Sequence, residues 1–213
     1  MTGGEGFPDG FFARADETPD DQFYAPVRLV THIDERAIAA VGAFYAELGI
    51  DGEVLDIMAS WVSHFVTPPR RLTVLGMNTS ELEHNPQAAA RVLHDLNRDP
   101  ELPFAAAAFD AVVCCVSVDY LVRPVEVFRS VGRVLRPGGV LACTFSNRLF
   151  PTKAIRGWLA TDDAEHCAIV ERYFTRSGAF APAESKLCTP PGPGDPLYAV
   201  WAHTRTDAGE DHR

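Results

Sequence analysis

The run from Leu102 to Asn147, LPFAAAAFDAVVCCVSVDYLVRPVEVFRSVGRVLRPGGVLACTFSN, leaves few folds open to this chain. Phe109 and Asp110 lead into Ala111 to Val116, an apolar stretch rich in β-branched residues, as expected of a strand buried on both faces. Val125, Phe128, Val131, Val134 and Leu135 then recur at helical spacing. Pro137-Gly138-Gly139 stops that helix, and Val140 to Phe145 starts a second strand. Strand, helix, strand in this order is a parallel crossover, the building unit of a doubly wound sheet.

The rest of the chain extends the pattern in both directions. Asp34 is the predicted N-cap of a helix over Glu35 to Leu48, with Ile38, Val41, Phe44, Tyr45 and Leu48 on its apolar stripe and Gly49 ending it. Val54 to Ile57 is a predicted first strand, and Ser60 to Phe65 one or two helical turns stopped by Pro68-Pro69. Leu72 to Leu75 is a second strand. Ser80 to Leu93 reads as a helix interrupted at Pro86, with a short third strand at Val92 to His94. Trp158 to Ser177 is a late helix carrying Asp162 and Asp163 near its start. Gly178 to Phe180 is a strand or turn, Pro190 to Pro196 a rigid connection, and Leu197 to Thr204 a closing strand. Residues 1–22 are expected to be a flexible lead-in. Residues 23–205 are expected to form one domain, with 23–50 as its lid and first helix, and 206–213 a flexible tail.

Composition narrows the function. The 213 residues are 46% hydrophobic and 23% charged, enough for one α/β domain with a sizeable core. No apolar run reaches membrane-spanning length. Met1 to Asp21 is Gly-rich and acidic, with no basic segment leading into an apolar core, so a secretory signal is not expected and the expected compartment is the cytoplasm. A net charge of −10 argues against nucleic acid as a main partner, since phosphate binding needs a basic face. A local basic patch around Arg148, Lys153 and Arg156 stays open on this reading. The five cysteines, Cys114, Cys115, Cys143, Cys167 and Cys188, form no Cys-x-x-Cys pair. They read as reduced thiols, three of them inside predicted strands, and no metal site is expected.

Leu102-Pro103-Phe104, Phe109-Asp110-Ala111-Val112 and Arg133-Val134-Leu135-Arg136-Pro137-Gly138-Gly139 together resemble the second half of a class I S-adenosylmethionine-dependent methyltransferase. The resemblance runs from about Val54 to about Trp158. It implies an α/β, doubly wound, mostly parallel Rossmann-like sheet of about seven strands, the last pair antiparallel, with helices on both faces. It also implies S-adenosylmethionine as cofactor and a small molecule as substrate, with a homodimer as an open option. Asp56 matches the acid that ends the family's first strand. The loop after it, Met58-Ala59-Ser60-Trp61-Val62-Ser63-His64, has none of the family's glycines, so positive φ there would be strained. After the second strand, at Met77-Asn78, Asn78 stands where the family usually has an acid for the ribose hydroxyls. Asp95, Leu96 and Asn97 match the loop that holds the adenine, and Cys115 and Val116 the end of the fourth strand on the cofactor. The loop Ser-Trp-Val-Ser-His is similar to that of a divergent methyltransferase-like subfamily among uncharacterised bacterial and plant proteins.

Other residues carry two readings each. His64 is a candidate general base or a hydrogen-bonded structural residue. Trp61 covers a ligand or fills core. Asp119 and Tyr120 follow the fourth strand, and Asn147 and Arg148 the fifth, at the edge where α/β sheets hold ligands. Tyr120 and Tyr24 are thereby catalytic candidates, and Asp119, Asn147, Arg148 and His32 substrate-binding candidates. Tyr24 and His32 precede the core and would belong to a lid, or only pack it down. Lys153 and Arg156 are expected to be solvated helix charges. Methyl transfer asks mostly for alignment of nucleophile, methyl and sulfur, so the lack of a catalytic dyad leaves an enzyme open. A non-catalytic binding or partner subunit is the alternative, resting on the missing glycines and on Asn78. Other chemistry on the same fold is a third.

Overall fold

The computed structural model describes residues 6–206. In chain order the elements are α1 (Asp20–Phe23), α2 (Glu35–Glu47), β1 (Glu53–Ile57), β2 (Arg71–Gly76), α3 (Thr79–His84), β3 (Ala90–Leu93), β4 (Phe109–Cys115), a 3-10 turn (Val118–Tyr120), α4 (Pro124–Val134), β5 (Leu135–Phe145), α5 (Arg156–Leu159), α6 (Asp163–Ser177), β6 (Glu184–Leu187) and β7 (Tyr198–His203). The strands form one seven-stranded sheet in the order β3-β2-β1-β4-β5-β7-β6. The first five of that order run parallel, and β7 is antiparallel to both of its neighbours. The predicted doubly wound sheet is therefore present.

Alternation along the buried strands divides the core into two layers. Val54, Val74, Val113, Val140 and Ala142 meet Val41, Phe44 and Tyr45 of α2 on one face. Leu55, Ile57, Val112, Cys114, Leu141 and Cys143 meet Phe128 and Val131 of α4 and Tyr173 and Phe174 of α6 on the other. Asp34 caps α2 as predicted, its side chain accepting from Ala37 N–H. Among the described residues the five cysteines are unpaired, with Cys114 and Cys143 buried.

Four expectations need correcting, and one strand went unread. Ser60 to Phe65 is not helical but an irregular loop, because Ser63 is held by the buried Asp56 and Asn85 side chains. Pro86 to Leu93 is not a helix either: its second half pairs in parallel with Thr73 to Gly76 as β3, and the sheet ladder overrides the helix propensity of three successive alanines. The late helix breaks at Thr161, whose hydroxyl donates to the carbonyls of Gly157 and Trp158, and restarts at Asp162 with a capping box to Glu165. Strand β5 begins at Leu135, before the Pro-Gly-Gly turn, and the ladder to β4 shifts register between Phe109 and Ala111. Strand β6, polar and half-exposed, carries too weak an apolar pattern to have been read from sequence.

The lead-in over 1–22 is packed rather than loose from residue 6 on. Phe7 is buried among Phe11, Phe12 and Tyr173, with ring centroids 4.9, 5.0 and 5.6 Å away. Lys153, expected in solvent, is fully buried beneath this segment. Its ammonium lies 3.1 Å from Asp20 Oδ1 and 3.3 Å from Asp16 Oδ2 and donates to Thr18 O at 2.7 Å. Arg14 completes the cluster with two hydrogen bonds to Asp20, at 2.7 and 2.9 Å. Arg156 is exposed as predicted. With Lys153 buried, the basic patch left open above does not form. The tail over 206–213 lies outside the described residues apart from Thr206.

Candidate functional site

The carboxyl ends of β1, β2, β4 and β5 open into one cleft of about 440 Å³. Its floor is Met58, Ala59 and Ser60 after β1, Gly76 at the end of β2 with Met77 and Asn78 after it, and Val116 and Ser117 after β4. Its other wall is Tyr24, Arg28, His32, Glu81, Tyr120, Asn147, Arg148 and Phe150. A hollow of about 80 Å³ adjoins it beside Asp56, Trp61, His64 and Cys115. A narrow chamber of about 30 Å³, roughly one water molecule, adjoins it beside Asp20, Asp95, Leu96 and Asn97.

Backbone geometry at the floor is unusual. Met58 has φ 55° and Val116 φ 48°, each immediately after a strand that ends in the cleft. Positive φ in a β-branched residue is a genuine outlier, and such strain gathers at functional sites. The chain after β1 crosses close above β2: Ala59 N–H donates to Leu75 O at 2.8 Å, and a Cβ on Gly76 would overlap the Ala59 carbonyl. The glycine that a close crossing needs thus sits on the facing strand and not in the loop.

Several predicted residues turn out to support the floor. Asp56 is buried on the α2 face and accepts from Ser63 Oγ at 2.6 Å, and Ser63 Oγ in turn accepts from Asn85 Nδ2 at 3.0 Å. Burial pushes its carboxyl up to about 7, against the opposing pull of the Ser63 hydroxyl. Asn78 caps α3, accepting from Glu81 N–H at 3.2 Å, and its amide donates to the carbonyls of Tyr24 and Ala25 at 2.9 and 3.1 Å. Asp95 Oδ1 accepts from the N–H groups of Asn97 and Arg98. Asn97 ties three segments together, donating to Asp20 Oδ2 and Tyr120 O and accepting from Val122 N–H.

Tyr24 and Tyr120 both line the cleft. Burial raises both phenols well above their ordinary value, with Asp20 adding to the effect at Tyr24 and Asp119 at Tyr120. Neither is a source of phenolate at neutral pH. Tyr120 OH accepts from Phe150 N–H at 2.8 Å and so holds the loop after β5. Asp119, a substrate candidate from sequence, is instead buried within the 3-10 turn and lines none of the three cavities. Burial lifts its carboxyl to about 8, and its Oδ2 has no partner among the described residues. Burial also pushes the Cys115 thiol up to about 12, which leaves it inert as a nucleophile.

The two imidazoles differ in place. His64 faces only the side hollow, while His32 lines both the hollow and the main cleft, its ring 5.1 Å from that of Phe150. Desolvation lowers the pKa of each, so both are neutral bases at neutral pH. Asn147 and Arg148 reach the cleft mouth as expected. Trp61 Nε1–H donates to Val30 O at 3.1 Å, tying the loop after β1 to the segment before α2.

Sequence reasoning missed Gly76, Glu81, Arg28 and Phe150. Only Glu81 carried a signal: Asn78-Thr79-Ser80-Glu81 is a capping-box spacing, which would have assigned Asn78 to the helix and drawn attention to Glu81. Among the described residues no cluster of His, Cys, Asp and Glu could hold a metal ion, and no helix is long and apolar enough to cross a membrane.

Residues 64–143 match a family model described as a methyltransferase domain. No curated protein matches the chain by sequence. Among solved structures, an S-adenosylmethionine-dependent methyltransferase from Thermotoga maritima is similar at TM-score 0.57 and 13% identity, over 80% of this chain and 91% of that one. The cyclase SpnF is similar at TM-score 0.55 and 13% identity, over 79% and 82% of the two chains. The methyltransferase CalH, in complex with S-adenosylhomocysteine, is similar at TM-score 0.52 and 16% identity, over 78% of this chain and 54% of that one. At such identities the likeness is one of fold.

Proposed function

We propose that this chain is a class I S-adenosylmethionine-dependent methyltransferase, which binds that cofactor across the ends of β1, β2 and β4 and methylates a small molecule in the same cleft. The observation that carries the reading is the convergence of four strand ends on one 440 Å³ cleft, where the chain crosses tightly over Gly76. The volume lies in the range of small-molecule sites. The residues fit the cofactor in kind: a close backbone crossing for its amino-acid end, a buried carboxylate at Glu81, and Asp95 and Leu96 beside the narrow chamber at the far end. That chamber is too small for a purine as it stands, so seating the adenine requires the segment carrying Asp20 and Tyr24 to shift.

The cofactor, when bound, supplies a methyl group already activated on a sulfonium. The protein then has to align an acceptor and keep water away. Phe150, Tyr24 and Tyr120 form a largely apolar wall for that purpose, with Asn147 and Arg148 as polar groups at the mouth. Tyr24 and Tyr120 act as neutral phenols that orient the acceptor. Where the acceptor must lose a proton, His32 is the better placed base, since His64 lines only the side hollow.

A second reading is a non-catalytic binding or partner subunit. It is favoured by one observation, that Asn78 spends both ends of its carboxamide on the protein itself. Titration calorimetry with S-adenosylmethionine and S-adenosylhomocysteine separates the two. Micromolar binding, followed by release of S-adenosylhomocysteine with a member of a small-molecule acceptor panel, is the expected result. Absence of binding by either compound overturns the methyltransferase reading.

A further inference from the structure

Glu81 is a buried carboxylate, 8% exposed, on the wall of the main cleft. It stands in the first turn of α3, three residues after Asn78. Its Oε1 accepts from the backbone N–H of Arg28 at 2.7 Å, and its Oε2 accepts from Ser60 Oγ at 2.6 Å. Both donors are neutral groups. A carboxylate offers about four acceptor directions, so each oxygen of Glu81 has one to spare. A buried charge satisfied only by neutral donors is costly unless a ligand adds to the set.

The position is informative. Ser60 belongs to the loop after β1, and Gly76, which ends β2, with Met77 and Asn78 after it, lines the same cleft beside Glu81. In an open α/β sheet this is the edge at which a nucleoside ribose meets the protein. Asn78 cannot serve it with a charge, and its side chain is committed to α3 and to the carbonyls of Tyr24 and Ala25. Glu81 is the carboxylate on that wall of the cleft.

We infer that Glu81 accepts the vicinal ribose hydroxyls of the cofactor, taking over from the acid that β2 lacks. The inference rests on the proposed methyltransferase reading. Through Arg28 N–H the same carboxylate also holds the segment between α1 and α2, so ligand binding and closure of that segment share one group.

The test is calorimetric and needs no acceptor substrate. S-adenosylhomocysteine, adenosine and 2′,3′-dideoxyadenosine are titrated into wild type and Glu81→Gln, with circular dichroism and a melting curve for each protein. Hydrogen bonds to a charged acceptor contribute about 1.5–3 kcal/mol, so Glu81→Gln is expected to weaken S-adenosylhomocysteine roughly 10- to 100-fold. Wild type is expected to prefer adenosine over the dideoxy compound by about tenfold or more, and Glu81→Gln to bring that ratio close to one. A merely structural role for Glu81 would weaken all three ligands alike and leave the ratio standing, which overturns the inference. So does a variant that loses S-adenosylhomocysteine but keeps the adenosine ratio, since the carboxylate would then serve the amino-acid end. Should Glu81→Gln not fold, Glu81→Asp is titrated in its place and is expected to lower the ratio; an unchanged ratio overturns the inference. Wild type that binds none of the three removes the methyltransferase reading itself, an outcome distinct from intact binding with an unaffected variant.

Discussion

Gly76, the last residue of β2, lies directly beneath the carbonyl of Ala59, and no side chain fits between them. Gly76→Ala forces the loop after β1 upward or breaks the bond from Ala59 N–H to Leu75 O. The expected cost is about 1–3 kcal/mol of stability, as for other overpacked sites. A loss of S-adenosylhomocysteine binding larger than the stability change alone explains is also expected. Chemical denaturation and calorimetry on the one variant check both.

The strain at Val116 gives a prediction of opposite sign. A β-branched residue at φ 48° costs on the order of 1–3 kcal/mol, whereas Asn tolerates this region. Val116 is only half-buried, so little apolar burial is lost on exchange. Val116→Asn is expected to be neutral to about 1 kcal/mol more stable by urea denaturation. A loss of 1 kcal/mol or more would mean that the side chain matters more than the backbone there.

Lys153 joins the N-terminal segment to the domain through Asp16 and Asp20. Lys153→Met removes the buried ammonium and leaves Asp20 with Arg14 as its remaining cationic partner among the described residues, beside the amide of Asn97. Breaking a buried ion pair from one side costs about 3–5 kcal/mol. The melting temperature should drop accordingly, and proteolysis should become fast within residues 6–22. A variant that melts like wild type would show that Arg14 suffices.

Two of the buried acids, Asp56 and Asp119, set a pH dependence. Asp56 and Asp119 ionise at about 7 and about 8 in the folded chain, raised by burial from an unfolded value near 3.8. Between those values the folded state keeps protons that the unfolded state has released, so stability falls as pH rises and levels off above about 8. His32 and His64, lowered by burial, act in the opposite direction below 6.5. The clear window is therefore pH 6.5 to 8, where each acid contributes at most about 1.4 kcal/mol per pH unit. Wild type should lose melting temperature across it, and Asp119→Asn should flatten the slope. A rising wild-type profile, or an unchanged slope in the variant, contradicts the account.

The crossover from β4 through α4 to β5 was legible because its signals are local. An apolar run and a stripe at helical spacing each specify their element within a dozen residues, although β5 begins at Leu135, ahead of the Pro-Gly-Gly expected to stop the helix. The start of strand β3, predicted only from Val92, and the loop after β1 were misread for the converse reason. Ala90 to Leu93 becomes a strand only by pairing with β2, and residues 60–65 stay irregular only because Asp56 and Asn85 hold Ser63. Both depend on partners 7 to 22 positions away, which periodicity does not register.

The site divides along the same line. Sequence alone determined the doubly wound sheet, the edge at which a ligand would sit, and the departures at Met58 to Ser60 and at Asn78, since these are matters of residue type at matched positions. Only the tertiary structure decided what replaces the lost groups. Gly76 supplies the close crossing from the neighbouring strand, and Glu81 brings a carboxylate to the wall from the next helix. Tertiary packing also decided that Lys153 is a buried anchor and Asp119 a core acid. Burial and ion pairing arise between segments far apart in the chain, and a residue's own identity does not fix which surface will close over it.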